Sequence, residues 1–406
     1  MLPPVIAPVP TRETRPWDIV VFGATGFAGR LVAAYLDQHA PPGLRIALAG
    51  RNHERLAAIA DELQREFGVL TASVDDDASL RSLAESTRVL LTTVGPYAQL
   101  GEPVVAACVA AGTDYVDLTG EPAFVDRVLA RHDAAARERG ALIVHCCGFD
   151  SIPTDLGVLF TVMQLPRDRP ITIDGYFEGK AGFSGGTFAS ALGALAEPRA
   201  VKPARTHAPP GTPRVGKARR GLHYQKQMQR WALPFPTIDP QIALRSARAR
   251  GDYGPEFRYG HYLCLKSLPL VAGTVAGVAG LAVLARLGPT RRLLQRMHPS
   301  GSGPDAATRK QSWYRFTFRG QAGDVSVVTE VAGGDPGYDE TARMIAESAL
   351  CLALERDKLP TGGVLTTATA MGERLLARLQ AAGMSFRVLE GGAASPPGPP
   401  PLSPST

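Results

Sequence analysis

Asp18–Gly29 reads DIVVFGATGFAG. An apolar run of strand length, Asp18–Phe22, enters Gly23-Ala-Thr-Gly26-Phe-Ala-Gly29, and the spacing of Leu31, Val32, Ala34, Tyr35 and Leu36 predicts a helix beyond it. Glycine is needed three times: for a tight turn, for close approach of backbone to a pyrophosphate, and for close packing of helix on strand. The helix N-terminus adds unpaired N–H groups and the positive end of its dipole. The triplet stands at the first strand–helix junction of the chain, the context a dinucleotide fold requires. Gly23, Thr25, Gly26, Phe27 and Gly29 are therefore expected to hold the phosphates of a dinucleotide.

The next strand, Leu44–Ala49, selects the dinucleotide. It ends Gly50-Arg51-Asn52, with Arg51 22 residues beyond Gly29. An acidic residue here would hold a ribose 2′-hydroxyl, whereas an arginine pairs with a 2′-phosphate. The expected cofactor is NADP(H), with Arg51 and Asn52 at its 2′-phosphate; the competing role for Arg51 is to open a helix over 54–67. Val94-Gly95-Pro96-Tyr97 follows the apolar run Val89–Val94, at the carboxyl end of a strand where a cofactor lies. Gly95 permits close approach, Pro96 stiffens the loop, and Tyr97 is either a proton donor or a packing residue. Asp117, Glu121, Asp150 and Ser151 end the following strands and converge on the same crevice. They serve either substrate contacts, Asp150 as a second candidate proton donor, or local capping of turns and helices.

With 406 residues the chain is long enough for two domains. From Trp17 to Asp150 strand and helix patterns alternate, as a doubly wound parallel sheet requires. Beyond Asp150, Thr172–Glu178, Trp313–Arg319 and Asp324–Val331 alternate with period two. The fold expected is α/β: an N-terminal Rossmann sheet (17–150) and a second α+β domain with a mixed or antiparallel sheet (151–390). Residues 1–16 read as a flexible lead and 391–406 as a disordered tail. Tyr176 and Lys180 have YxxxK spacing, but on the strand predicted there they stand about 13 Å apart, too far to couple. Lys180–Thr187 reads as a glycine-rich turn opening a helix over 189–196. Five cysteines without paired spacing indicate neither a disulfide framework nor a metal site. The first sixteen residues lack the basic-then-apolar pattern of a secretory leader, so a cytoplasmic location is expected.

Charge is uneven. Nine of the 44 Lys and Arg fall between Pro198 and Ile238, where there is no Asp or Glu. This basic arm, with Pro203, Pro209, Pro210 and Pro213 in it, reads either as a solvated loop without regular structure or as a dock for an acidic partner such as a carrier protein. No nucleic-acid-binding motif accompanies it. Ser267–Ala285, SLPLVAGTVAGVAGLAVLA, carries no charge over 19 residues and contains Gly273 and Gly277 as GxxxG. A packed or oligomer-forming helix, a peripheral membrane insertion and a span compete for it; a span is disfavoured because chain of soluble character lies on both sides.

GATGFAG, LAGR, VGPYAQLGEPVVAACVAAGTDYVDLTGE, CGFDSIPTDLG, SGGT and GGVLTTATAMGERLLARL together resemble the saccharopine dehydrogenase-like oxidoreductases, in the branch of bacterial trans-acting enoyl reductases. The resemblance runs from Trp17 to Glu390. It implies an NADP-binding Rossmann domain, an α/β substrate domain, and reduction of an enoyl double bond on a lipid or polyketide acyl thioester, borne on a carrier and supplied by a synthase lacking its own reductase. Two rival functions remain: a membrane- or partner-binding protein with a non-catalytic dinucleotide site, and an amino-acid dehydrogenase of the saccharopine type.

Overall fold

The computed structural model describes residues 12–180, 213–218, 220–286, 290 and 305–391. Two sheets organise it. The first holds β1 (Trp17–Phe22), β2 (Ile46–Gly50), β3 (Phe67–Thr71), β4 (Thr87–Thr92), β5 (Asp114–Asp117) and β6 (Leu142–Val144), all parallel. Its order is β3-β2-β1-β4-β5-β6, so the chain reverses direction between β1 and β4, the switch point where a ligand crevice opens. Ile19, Val20 and Val21 on β1 are wholly buried because helices cover both faces of the sheet. These helices are α1 (Phe27–His39), α2 (His53–Asp61), α3 (Asp77–Ser86), α4 (Tyr97–Ala111) and α5 (Pro122–Arg139).

The second sheet runs β15-β13-β12-β7-β11-β10-β9. These strands are β7 (Ile171–Lys180), β9 (His223–Gln225), β10 (Arg230–Pro234), β11 (Glu256–Leu265), β12 (Trp313–Ala322), β13 (Val325–Gly333) and β15 (Ser385–Gly391); β8 (Arg214–Lys217) pairs with β11 off this path. The strands expected from period-two alternation, β7, β12 and β13, pair antiparallel. β11 lies parallel to β7 and makes the sheet mixed. Its inner face packs on α6 (Ile152–Val162) and α7 (Asp239–Arg250).

Several expectations change. A division at Asp150 separates the sequence but not the sheets: β14 (Gly363–Leu365) extends the first sheet beside β6. Helix α10 (Asp339–Leu354) packs against α1, β1, β4 and β5; between them lie α8 (Leu268–Arg286) and the short α9 (Ala306–Lys310). An apolar segment joins whichever sheet offers an uncovered face, and nothing local declares which. Part of the lead is ordered rather than flexible. Arg12 pairs with Asp114, and the buried Arg15 donates to the Thr87 carbonyl and Thr113 Oγ1, both at 2.7 Å. Half of the basic arm has regular structure: once past Pro213 the chain forms β8, β9 and β10. Residues 1–11, 181–212 and 392–406, with the predicted 180–187 turn, 189–196 helix and most of the tail, lie outside the described residues.

Candidate functional site

Four loops meet at the carboxyl edge of the first sheet. After β1 the chain turns at Gly23, whose φ of +94° suits glycine. A Cβ there would stand 2.8 Å from Thr93 Oγ1 and Val94 Cγ2, so the β1 and β4 loops touch. A Cβ on Gly29 would lie 2.3 Å from the Gly23 carbonyl oxygen, which is the close helix packing the motif predicts. Gly26 starts α1, and no side chain caps that helix. Its first N–H groups therefore face the crevice as phosphate donors. Thr25 stands beside Gly50, and Arg51 is exposed at the end of β2. Asn52 has a local task instead: its Oδ1 caps α2 by accepting from Arg55 N at 2.8 Å. Phe27 packs edge-on to Tyr338, at 4.9 Å between centroids, with Arg309 over its ring. The phosphate loop is thus braced by the second half of the chain. These residues fit a dinucleotide with a 2′-phosphate: the turn a side chain would block, the uncapped helix and the exposed guanidinium stand along one edge.

The β4 loop continues the crevice. Gly95 is exposed, the Gly95–Pro96 peptide is cis, and Pro96 precedes the first turn of α4. Tyr97 does not reach into the crevice. It is buried, and its hydroxyl donates to the Thr92 carbonyl at 3.1 Å and accepts from Leu118 N at 3.2 Å. Burial pushes its pKa well up. With both partners in place and its acidity suppressed, this hydroxyl ties β4 to the β5 loop, and proton donation by Tyr97 is withdrawn.

Glu121 and Asp117 are likewise structural. The Glu121 carboxylate accepts from Tyr97 N and Ala98 N at 3.0 and 2.7 Å, capping α4 from outside. Asp117, fully buried, accepts from Thr119 N, Cys146 N, Tyr115 Oη and His145 Nδ1, and so locks the β5 and β6 loops together.

Asp150 differs. It follows β6 as an exposed residue whose carboxyl is nonetheless crowded: a Cβ on Gly120 would meet its Oδ2 at 3.0 Å. Desolvation by the surrounding protein, then the Asp239 carboxylate, push it up to about 7. Asp239 begins α7 and is buried, held up to about 6 by that burial. Its Oδ2 bonds to the Thr237 hydroxyl and lies 3.9 Å from His261 Nε2. His261 is kept neutral by burial, its pKa pushed down to about 3, and its Nδ1 is 2.8 Å from the Tyr259 hydroxyl. Asp239, His261 and Tyr259 were not singled out in the sequence. The signal was present in EFRYGHYLCL, whose alternation makes β11, and in Thr-Ile-Asp-Pro, a helix start.

Beside Asp150 an aromatic group forms a mouth. Phe149 lies 4.8 Å from Tyr314, 5.9 Å from Phe177 and 6.1 Å from Phe316, centroid to centroid. Phe235 stacks between Phe177 and His261. Phe149, Phe177 and Phe235 are only half-buried, so part of each side chain reaches the surface. Elsewhere, Tyr176 and Lys180 lie on a strand as expected; the tyrosine hydroxyl accepts from Gln225 Nε2 at 3.2 Å.

The description "saccharopine dehydrogenase NADP binding domain" matches residues 19–144. The chain is 38% identical to a Mycobacterium tuberculosis (strain ATCC 25618 / H37Rv) protein named for trans-acting enoyl reduction, over 93% of this chain and 98% of the relative. It is 35% identical to a trans-acting enoyl reductase of Mycobacterium ulcerans (strain Agy99), over 91% and 97%. In fold it is similar to the L-Glu-forming saccharopine dehydrogenase of Saccharomyces cerevisiae, with a TM-score of 0.54 at 13% identity, covering 92% of this chain and all of the other. With the crevice, the exposed Arg51 and these relatives together, the chain belongs to the saccharopine dehydrogenase-like, NADP(H)-dependent oxidoreductases, in the branch of the trans-acting enoyl reductases.

Proposed function

We propose that the protein reduces the carbon–carbon double bond of an enoyl thioester on a lipid or polyketide acyl chain. The observation that carries this reading is the pairing of a half-buried aromatic mouth with one crowded carboxyl, Asp150, at the edge where the cofactor loops converge. The half-buried Phe149, Phe177 and Phe235 suit an acyl chain. When bound, NADPH supplies a hydride for the β-carbon. Gly23, Gly26 and Gly29 bind its pyrophosphate, Arg51 its 2′-phosphate, and Gly95 and Pro96 flank the nicotinamide. The α-carbon then needs a proton. Asp150 supplies it, because an acid with a pKa near 7 is about half protonated at neutral pH and gives up its proton readily. Desolvation, and then the buried Asp239 carboxylate, keep that proton on by making the negative charge costly.

Two partners follow. An acidic carrier protein delivering the thioester would meet the exposed Arg214, Lys217 and Lys226 on the basic arm. A lipid surface would meet the apolar helix α8. We place the protein in the cytoplasm, against a membrane.

The test is NADPH oxidation by purified full-length protein over a series of enoyl-CoA thioesters, run beside 2-oxoacids with glutamate or lysine. Turnover of enoyl thioesters alone is expected. Saturable NADPH binding with no turnover of any enoyl thioester would refute the reductase reading, and turnover of an amino-acid pair alone would replace it.

A further inference from the structure

Helix α8, Leu268–Arg286, stands away from the body: only Val271 and Ala285 among its residues are buried. Leu270, Val275, Val278, Val283 and Leu284 are each exposed by 41% or more. At about 100° per residue these five side chains surround the axis with no gap wider than about 100°. No polar face exists to lie against water, which separates α8 from an amphipathic surface helix. A second copy of the chain would cover one side of such a helix and leave the other wet. Only a medium that is apolar in every direction satisfies it.

The topology limits how deep it can go. The chain leaves the second sheet at Leu265 on β11 and re-enters at Trp313 on β12. Leu263 pairs with Phe177 and Trp313 with Lys180, so exit and re-entry share the carboxyl end of β7. Nineteen helical residues reach about 28 Å, the thickness of a bilayer's apolar core. A crossing would leave the chain on the far side, with only residues 287–304 to bring it back. That stretch holds Arg291, Arg292 and Arg296 and three prolines, and cannot cross. Lys266 and Arg286, at the two ends of the apolar run, suit a negatively charged headgroup layer, as do the arginines that follow.

We propose that α8 is an anchor that immerses in a single leaflet of an anionic membrane, with Lys266 and Arg286 both at the headgroup surface that faces the protein. This deepens the lipid contact proposed above by giving its lipid class and its depth. Phe177 of the aromatic mouth lies at the same end of the second sheet, so the anchor sets that mouth toward the lipid surface.

The experiment uses full-length protein, vesicles of phosphatidylcholine with or without phosphatidylglycerol, and the single variants Lys266→Cys and Arg286→Cys. The five native cysteines are buried, so a membrane-impermeant maleimide reports on the introduced thiol. Co-sedimentation with the anionic vesicles is expected, weaker by tenfold or more with phosphatidylcholine alone, and both thiols should label on vesicle-bound protein. Val278→Asp should cut the bound fraction tenfold or more while NADPH affinity stays unchanged. Protection of Arg286→Cys until detergent is added would mean a span and overturn the proposal. Equal binding to neutral vesicles would overturn its lipid class, and failure to sediment with either would overturn the membrane contact itself. Vesicle binding by a protein that oxidises no NADPH would support the anchor and refute the reductase.

Discussion

At the residue scale, the proposed chemistry rests on one exposed guanidinium and one crowded carboxyl. Arg51 stands at the end of β2 with its side chain in solvent, so its removal should disturb nothing but a ligand. A charge-assisted hydrogen bond contributes roughly 1–3 kcal/mol, so Arg51→Ala should weaken NADPH binding about ten- to a hundredfold and NADH binding hardly at all. Fluorescence titration with both coenzymes checks this; equal losses would remove Arg51 from the 2′-phosphate. Asp150, pushed up to about 7, is an acid only while protonated, so turnover should fall as pH rises through neutrality. Asp150→Asn should abolish that alkaline limb along with most of the rate and leave NADPH affinity intact. A variant retaining both the rate and the limb would place the proton donor elsewhere. Neither role was legible to the same degree. The glycine triplet and Arg51 would act through backbone shape and position at strand ends, which spacing reveals, whereas the acidity of Asp150 depends on desolvation by remote chain and then on Asp239, 89 residues away.

At the scale of elements, the start of α7 holds an ionisable group at a cost. Burial raises Asp239 to about 6 from an ordinary 3.8. A raised carboxyl favours the folded state below its unfolded pKa, and that contribution is lost as pH climbs from about 4 through about 6. Asp239→Asn, which cannot ionise, should therefore stabilise the protein at pH 8 relative to the parent by on the order of 1–3 kcal/mol. Near pH 4 it should give no gain. Thermal melts at the two pH values test the sign; a loss at pH 8 would show that the Thr237 bond outweighs the buried charge. Long apolar elements were readable from period alone: β1, β12 and β13 fall where the pattern put them. α4 begins as early as Tyr97 because the Glu121 carboxylate supplies a cap from another loop, which no local pattern signals.

At the scale of the molecule, electrostatics and exposed apolar surface divide the labour. Within the arm, Arg220 and Arg230 are already paired, at 3.4 and 3.0 Å, with Asp174 and Glu178 on β7. A carrier would be met by Arg214, Lys217 and Lys226, which project from the sheet edge. Lys217→Glu with Lys226→Glu should lower kcat/KM for a carrier-borne enoyl substrate about tenfold or more at low salt, and leave a small CoA analogue unaffected. Steady-state kinetics with both substrates decides; equal effects would dismiss the dock.

The linear chain by itself determined the dinucleotide turn, the arginine after the second strand, the switch from parallel to period-two strands, and a charge-free stretch of bilayer length. All of these are local, set by backbone freedom, side-chain period or a run of like residues. Only the tertiary structure decided that Tyr97, Asp117 and Glu121 brace loops, that Asp239 stands by His261 and bears on Asp150, that β14 returns to the first sheet, and that α8 is exposed around most of its axis. Desolvation, capping from a distance and exposure depend on which remote groups crowd a position, and no spacing along a chain encodes that.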